Sequence, residues 1–186
     1  MSRLYLVRHA EPHVDPGQPL DSWPLTAAGR TAARRLAGTL PRLKRVVASP
    51  ERKAVETAQP LADEWGTVVE TDDRLREVGG RAWVDSSEVY REHVRLYFTG
   101  GEPEDWERLD EATARIIAAT EEIMRGAEDA VLVSHGLVLT LLRSWFDGVE
   151  PAMLVSVWDA MRFPDVCVLD WDARRVLSEF GTDEST

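Results

Sequence analysis

Apolar positions change their period along the chain, and the changes mark out alternating strands and helices. Arg3–Val7 is a short apolar run that reads as a buried strand. A loop with four prolines and one glycine follows, from Glu11 to Pro24. Thr26 is placed to cap a helix, in which Ala32, Ala33, Leu36, Ala37 and Leu40 repeat at helical spacing before Pro41 ends it. Arg45–Ala48 reads as a second strand. Ser49 is expected to cap the next helix, with Pro50 in its first position, Trp65 near its end and Gly66 as its stop. Thr67–Glu70 is a third strand candidate. Residues 71–106 carry weaker signals: a loop, a helical piece over Ser87–Tyr97 and a break at Gly100-Gly101. A long helix is expected over Glu107–Arg125, with Leu109, Ala112, Ile116, Ala119 and Ile123 on one face. Ala130–Val133 is the clearest strand, and His135-Gly136 opens a helix to Phe146. Val166–Trp171 and Arg175–Phe180 read as an antiparallel hairpin, and Thr182–Thr186 as a frayed tail. The alternation predicts an α/β fold: a three-layer α/β/α sandwich around a mostly parallel sheet.

Composition narrows the picture. The 186 residues suit one domain, 44% of them hydrophobic and 30% charged, which is the balance of a globular chain rather than a disordered one. No apolar run reaches the ~20 residues of a membrane span, and the opening MSRLYLVRHA turns polar too soon for a signal peptide. The lone Cys167 excludes an internal disulfide and any multi-cysteine metal cluster; it sits in an apolar strand and reads as core. The cytoplasm is the most economical compartment. A net charge of −11 argues against a nucleic-acid or anionic-membrane partner. The charge is uneven, however. Residues 1–53 hold ten Arg/Lys against four Asp/Glu, and residues 54–186 twelve against twenty-nine. The basic first third could bind a small anion locally.

Candidate chemistry falls where α/β sheets place it, just beyond the carboxyl ends of strands. Arg8-His9 follows the first strand, Ser49 with Arg52 and Lys53 the second, and Ser134-His135-Gly136 the strongest. Two histidines at strand ends, an adjacent arginine and nearby helix N-termini together suit a phosphate pocket with a nucleophile in it. His13 and His93 have polar neighbours and read as surface residues. Trp23 and Trp83 flank these loops and stand apart from the other tryptophans, which read as core or cover.

Five segments then carry a specific resemblance. LVRHAEP resembles the RHG motif of the histidine phosphatase (phosphoglycerate mutase-like) superfamily. PLTAAGR (Pro24–Arg30), ASPERKAVETA (Ala48–Ala58), LREVGGRAW (Leu75–Trp83) and VLVSHG (Val131–Gly136) resemble its later motifs, in family order. The resemblance implies His9 as the nucleophile that takes the phosphoryl group and Arg8 as a phosphate clamp. It implies His135 as a donor that steadies the transferring group, and Glu77 as proton donor and then base. It implies a small phosphorylated substrate and no metal or cofactor.

The chain departs from the family pattern in four places. Ala10 replaces the motif glycine, Pro12 the threonine of the RHGET form, and Asp15 an asparagine, which is expected to set an acid near the phosphate. The second phosphate arginine aligns with Lys53, four residues after Ser49, with Arg52 as the neighbouring alternative. The expected activity is metal-independent phosphomonoester hydrolysis through a phosphohistidine. A phosphoglycerate mutase and a catalytically impaired phospho-ligand-binding member are the alternatives. The outward face of Glu107–Arg125 could be free or could pair two copies in a homodimer.

Overall fold

The computed structural model describes residues 2–79, 86–126 and 128–182. Among these, six strands form one sheet: β1 (Arg3–Arg8), β2 (Arg45–Ala48), β3 (Val69–Thr71), β4 (Ala130–Ser134), β5 (Asp165–Asp170) and β6 (Arg175–Ser178), in the order β3-β2-β4-β1-β5-β6. The first four are parallel neighbours. β5 runs antiparallel to β1 and turns back into β6 as a hairpin.

Period-two alternation in the central strands supplies two hydrophobic faces. Tyr5, Val7, Val46, Val131 and Val133 meet α1 (Ala27–Thr39) and α2 (Arg52–Trp65) on one side. Leu4, Leu6, Leu132, Cys167 and Leu169 meet α3 (Ser87–Phe98), α4 (Leu109–Met124), α5 (Gly136–Asp147) and α6 (Leu154–Ala160) on the other. Both faces of β4 are covered, so its five residues are all buried, as its unbroken apolar run requires. Each fully buried Leu or Val in these layers contributes about 1.5–3 kcal/mol. The result is the expected three-layer α/β/α sandwich.

Thr26 caps α1 by accepting from the Gly29 N–H at 2.8 Å, and Gly66 ends α2 in a left-handed conformation (φ 69°). Ser86 caps α3 in the weaker region, where a helix was expected. Three elements differ from the sequence reading. Helix α2 begins at Arg52, with Glu51 as its N-cap residue, not at Ser49-Pro50. The Ser49 N–H still bonds to the Val133 carbonyl at 2.9 Å, so the strand ladder holds this residue and delays the helix by two residues. Strand β3 lies two residues later at its start than its apolar run suggested. Helix α6 and the 3-10 turn before it (Pro151–Met153) were not anticipated, because seven residues are too few to set up a helical period. Cys167 is buried in β5, as expected. Trp83 and residues 183–186 of the tail lie outside the described residues.

Candidate active site

Sheet order builds the site. β4 lies between β1 and β2, with Arg8 in register with Ser134 and Ala48 with Val133. The ladder continues past the strand ends, as His9 donates its N–H to the Ser134 carbonyl at 2.9 Å. Three adjacent strands therefore deliver Arg8-His9, Ser49 and His135 to one rim. The loop after β3 is docked on the same rim by the Ser134 hydroxyl, which donates to the Leu75 carbonyl at 2.6 Å. Glu77 follows.

His9 is 5% exposed, and its Nδ1 lies 2.8 Å from the carbonyl of Ala10. A carbonyl only accepts, so this contact fixes the Nδ1–H tautomer and leaves the Nε2 lone pair free. Burial holds the His9 pKa well below the usual histidine value. His135, Lys53 and Arg8 push the same way, against the Ala10 carbonyl. The ring is thus neutral and nucleophilic at neutral pH. The His135 ring centre is 5.1 Å away. His135 Nε2 lies 2.8 Å from the Ser49 hydroxyl, while its buried Nδ1 has no hydrogen-bond partner. Its pKa is also held well below the usual value, by burial first and then by Lys53 and Arg8.

Arg8 is 9% exposed and bonds through Nη1 to the Met161 carbonyl at 2.8 Å, with its buried Nε left unpartnered. Its guanidinium carbon stands 3.7 Å above the Phe163 ring centre. Burial lowers its pKa, yet an arginine stays charged. Gly136 makes room for it: a Cβ there would lie 2.9 Å from Trp158 Nε1 and 3.3 Å from Arg8 Nη2. A buried cation with spare donors is suited to hold a planar or tetrahedral oxyanion.

The choice between Lys53 and Arg52 is visible in the geometry. Lys53 turns inward and donates to Glu51 Oε2 at 2.5 Å and to the Leu20 carbonyl at 3.0 Å. Arg52 turns outward to Glu56 at 2.7 Å, and its side chain is 56% exposed. The structure does not bring Arg52 to the cluster, because successive helical positions point about 100° apart.

Glu77 sits with its carboxylate at the start of α5. Oε1 accepts from the Val78 and Val138 N–H groups at 2.9 and 3.0 Å, and Oε2 from Leu137 N–H at 3.0 Å. Burial raises its pKa, partly opposed by the Leu137 and Val78 N–H groups, and Glu51 adds to the rise. Burial thus favours the protonated form of a carboxyl that is placed to hold and release a proton.

Sequence reasoning missed two residues here. Glu51 is 7% exposed and contacts Lys53, His135 and the Glu77 N–H. Its place two residues before Lys53, inside a motif, was the available signal. Phe163, exposed beside the His9 ring at 5.3 Å between centres, belonged to no motif. Other expectations need correcting. Asp15 is exposed and spends Oδ1 on the Gly17 N–H at 3.0 Å, inside its own turn. His93 is half-buried against Trp106, unlike the exposed His13. Trp23 is buried and donates to the Asp15 carbonyl at 2.8 Å.

A family model described as histidine phosphatase superfamily (branch 1) matches residues 4–176. The chain belongs to the histidine phosphatase superfamily. Among superfamily relatives, "Probable phosphoglycerate mutase GpmB" of Enterobacter sp. (strain 638) is 30% identical over 164 residues, 80% of this chain and 76% of that protein. The fold matches Bacillus stearothermophilus YhfR with a TM-score of 0.80 at 24% identity, over 99% of this chain and 98% of the other. It also matches mycobacterial glucosyl-3-phosphoglycerate phosphatase Rv2419c, in complex with inorganic phosphate, with a TM-score of 0.76 at 24% identity over 98% of both chains. Among the described residues no helix is long and apolar enough to cross a membrane.

Proposed function

We propose that this histidine phosphatase superfamily member is a metal-independent phosphomonoesterase that works through a phosphohistidine on His9, with a small phosphorylated metabolite as substrate. One observation carries the reading. The Ala10 carbonyl fixes the His9 tautomer, so Nε2 offers a lone pair, on a ring whose centre is 5.1 Å from that of His135 and whose charge state feels Arg8, His135 and Lys53. In this reading Nε2 attacks phosphorus, the ester P–O bond breaks, and Glu77 gives its proton to the departing alkoxide. The charge on the transferring oxygens is met by Arg8, Lys53 and His135 Nδ1–H. Water then attacks phosphorus, gives its proton to Glu77, and the P–N bond breaks to return neutral His9. A proton donor so placed supplies about 10²–10⁴-fold of rate.

A mutase reading draws on the name of the Enterobacter relative. It calls for further cations around a second phosphate. The segment Glu77–Trp106 instead carries seven acids against Arg81, Arg91 and Arg95. The test is an aryl phosphate assay with and without chelator, with a search for an acid-labile, base-stable phosphoryl label. Wild type is expected to release phosphate with chelator present, and His9→Ala to lose at least about 10³-fold with no label. Near-normal turnover by His9→Ala would sink the mechanism. Interconversion of 2- and 3-phosphoglycerate faster than phosphate release would make the chain a mutase.

A further inference from the structure

We propose that Glu51 is a built-in counter-ion of the phosphate pocket, set among the phosphate's own ligands so that the pocket holds a phosphate dianion weakly and releases it readily. The proposal rests on the phosphomonoesterase reading and adds the element that sets its affinity for the phosphoryl group.

Three contacts define the carboxylate's place, and a fourth holds its backbone. Oε2 accepts from Lys53 at 2.5 Å, Oε1 accepts from the Glu77 N–H at 2.8 Å, and Oε1 stands 3.5 Å from His135 Nε2. The Ser49 hydroxyl, which meets the same His135 nitrogen, accepts from the Glu51 N–H at 3.3 Å. Glu51 and Lys53 are each 7% exposed, so solvent screens their charges little. Glu51 thus competes with an incoming phosphoryl group for Lys53, one of its cations. Lys53 has three N–H donors. Glu51 and the Leu20 carbonyl take two, leaving one for a ligand.

The charges lead to the same conclusion. Lys53 and Arg8 bring two positive charges. Glu51 brings one negative charge, Glu77 carries the proton that it gives in the reaction, and both histidines are neutral. A phosphate dianion therefore enters a pocket with one net positive charge where Lys53 and Arg8 alone would give two, and whose cationic side chains are already partly satisfied. Removing one negative charge a few ångströms from the ligand strengthens anion binding. A purely structural ion pair would predict the reverse, since breaking it leaves Lys53 buried without its partner.

The experiment measures inhibition constants of inorganic phosphate and orthovanadate, with KM and kcat for an aryl phosphate, in wild type, Glu51→Gln and Glu51→Asp. Gln keeps the shape and one acceptor oxygen, which can serve Lys53 or the Glu77 N–H. The Glu51→Gln variant is expected to bind phosphate about tenfold more tightly, which corresponds to about 1.4 kcal/mol. Its KM should fall in parallel and its kcat should not rise. Glu51→Asp, which keeps the charge, should stay within about twofold of wild type. Unchanged or weaker phosphate binding by a folded Glu51→Gln overturns the proposal. Should that variant fail to fold, the Glu51 carboxyl ¹³C resonance of wild type is followed as phosphate is added. A shift at saturation supports the proposal and an unmoved resonance overturns it. Wild type lacking any His9-dependent phosphatase activity would instead remove the phosphomonoesterase reading itself.

Discussion

Lys53 shows how far a single side chain's meaning depends on its neighbours. From the motif it is a phosphate ligand; in the structure it is also the only cation bonded to the buried Glu51 carboxylate among the described residues. Removing one partner of a buried ion pair costs about 3–5 kcal/mol, because the other is left uncompensated. Lys53→Met is therefore expected to lose about 3 kcal/mol of stability and to raise the KM for an aryl phosphate at least about tenfold. Adding Glu51→Gln should restore most of the stability but only part of the KM. Melting curves and kinetics on the single and double variants check both halves, and full recovery of both together would mean that Lys53 does not touch substrate. The strand-end histidines, Arg8 and the Lys53 alignment were legible because strand ends and motif spacing are local. Glu51 was not, because nothing local distinguishes an acid that turns inward from one that faces water. Phe163 was missed because it reaches His9 from a loop 154 residues away in the chain, before β5.

Elements read well where their signals were redundant. Arg45–Ala48 was matched residue for residue by β2, and Thr26 was placed correctly because its cap, the alanines after it and Pro41 all agree. Where tertiary bonds compete with local preference, the local reading slips, as at Ser49. The PLTAAGR segment carries a further constraint that a helix-propensity argument would miss. Gly29 lies in the first turn of α1, and a Cβ there would stand 2.4 Å from the Glu11 carbonyl oxygen. That contact is with backbone, so no flexible side chain can give way. Alanine is the better helix former by about 1 kcal/mol, yet Gly29→Ala is expected to destabilise by about 1–3 kcal/mol through forced separation of the helix from the Glu11 loop. The loop is tied to the site, since the Ala10 N–H donates to the Thr57 hydroxyl at 2.9 Å and that hydroxyl donates to the Lys53 carbonyl at 2.7 Å. The variant should therefore also lose activity. A Gly29→Ala protein with raised Tm would show that the helix can move away freely.

The whole molecule senses pH through the same buried groups. Both site histidines have folded-state pKa values well below 6.5, set mainly by burial. Below about pH 6.5 the unfolded chain takes up protons that the folded one refuses, so stability falls as pH falls. Each histidine contributes a slope of up to about 1.4 kcal/mol per pH unit between that point and its folded value. Glu77, with its raised pKa, acts in the opposite sense over the range between its unfolded and folded values and offsets part of the loss. Melting temperature is expected to drop from pH 7 to pH 5, and His9→Asn should flatten the drop. An equally steep drop in that variant would place the acid sensitivity elsewhere. The central position of β1 has a consequence during synthesis. Its hydrogen-bonding neighbours β4 and β5 begin only at Ala130 and Asp165. As the chain emerges from the ribosome, the strand carrying Arg8 and His9 waits for more than 120 residues before either partner exists. A nascent chain halted before β4 would hold His9 without His135, so hydrolysis of an aryl phosphate would report that the nascent protein has closed its sheet.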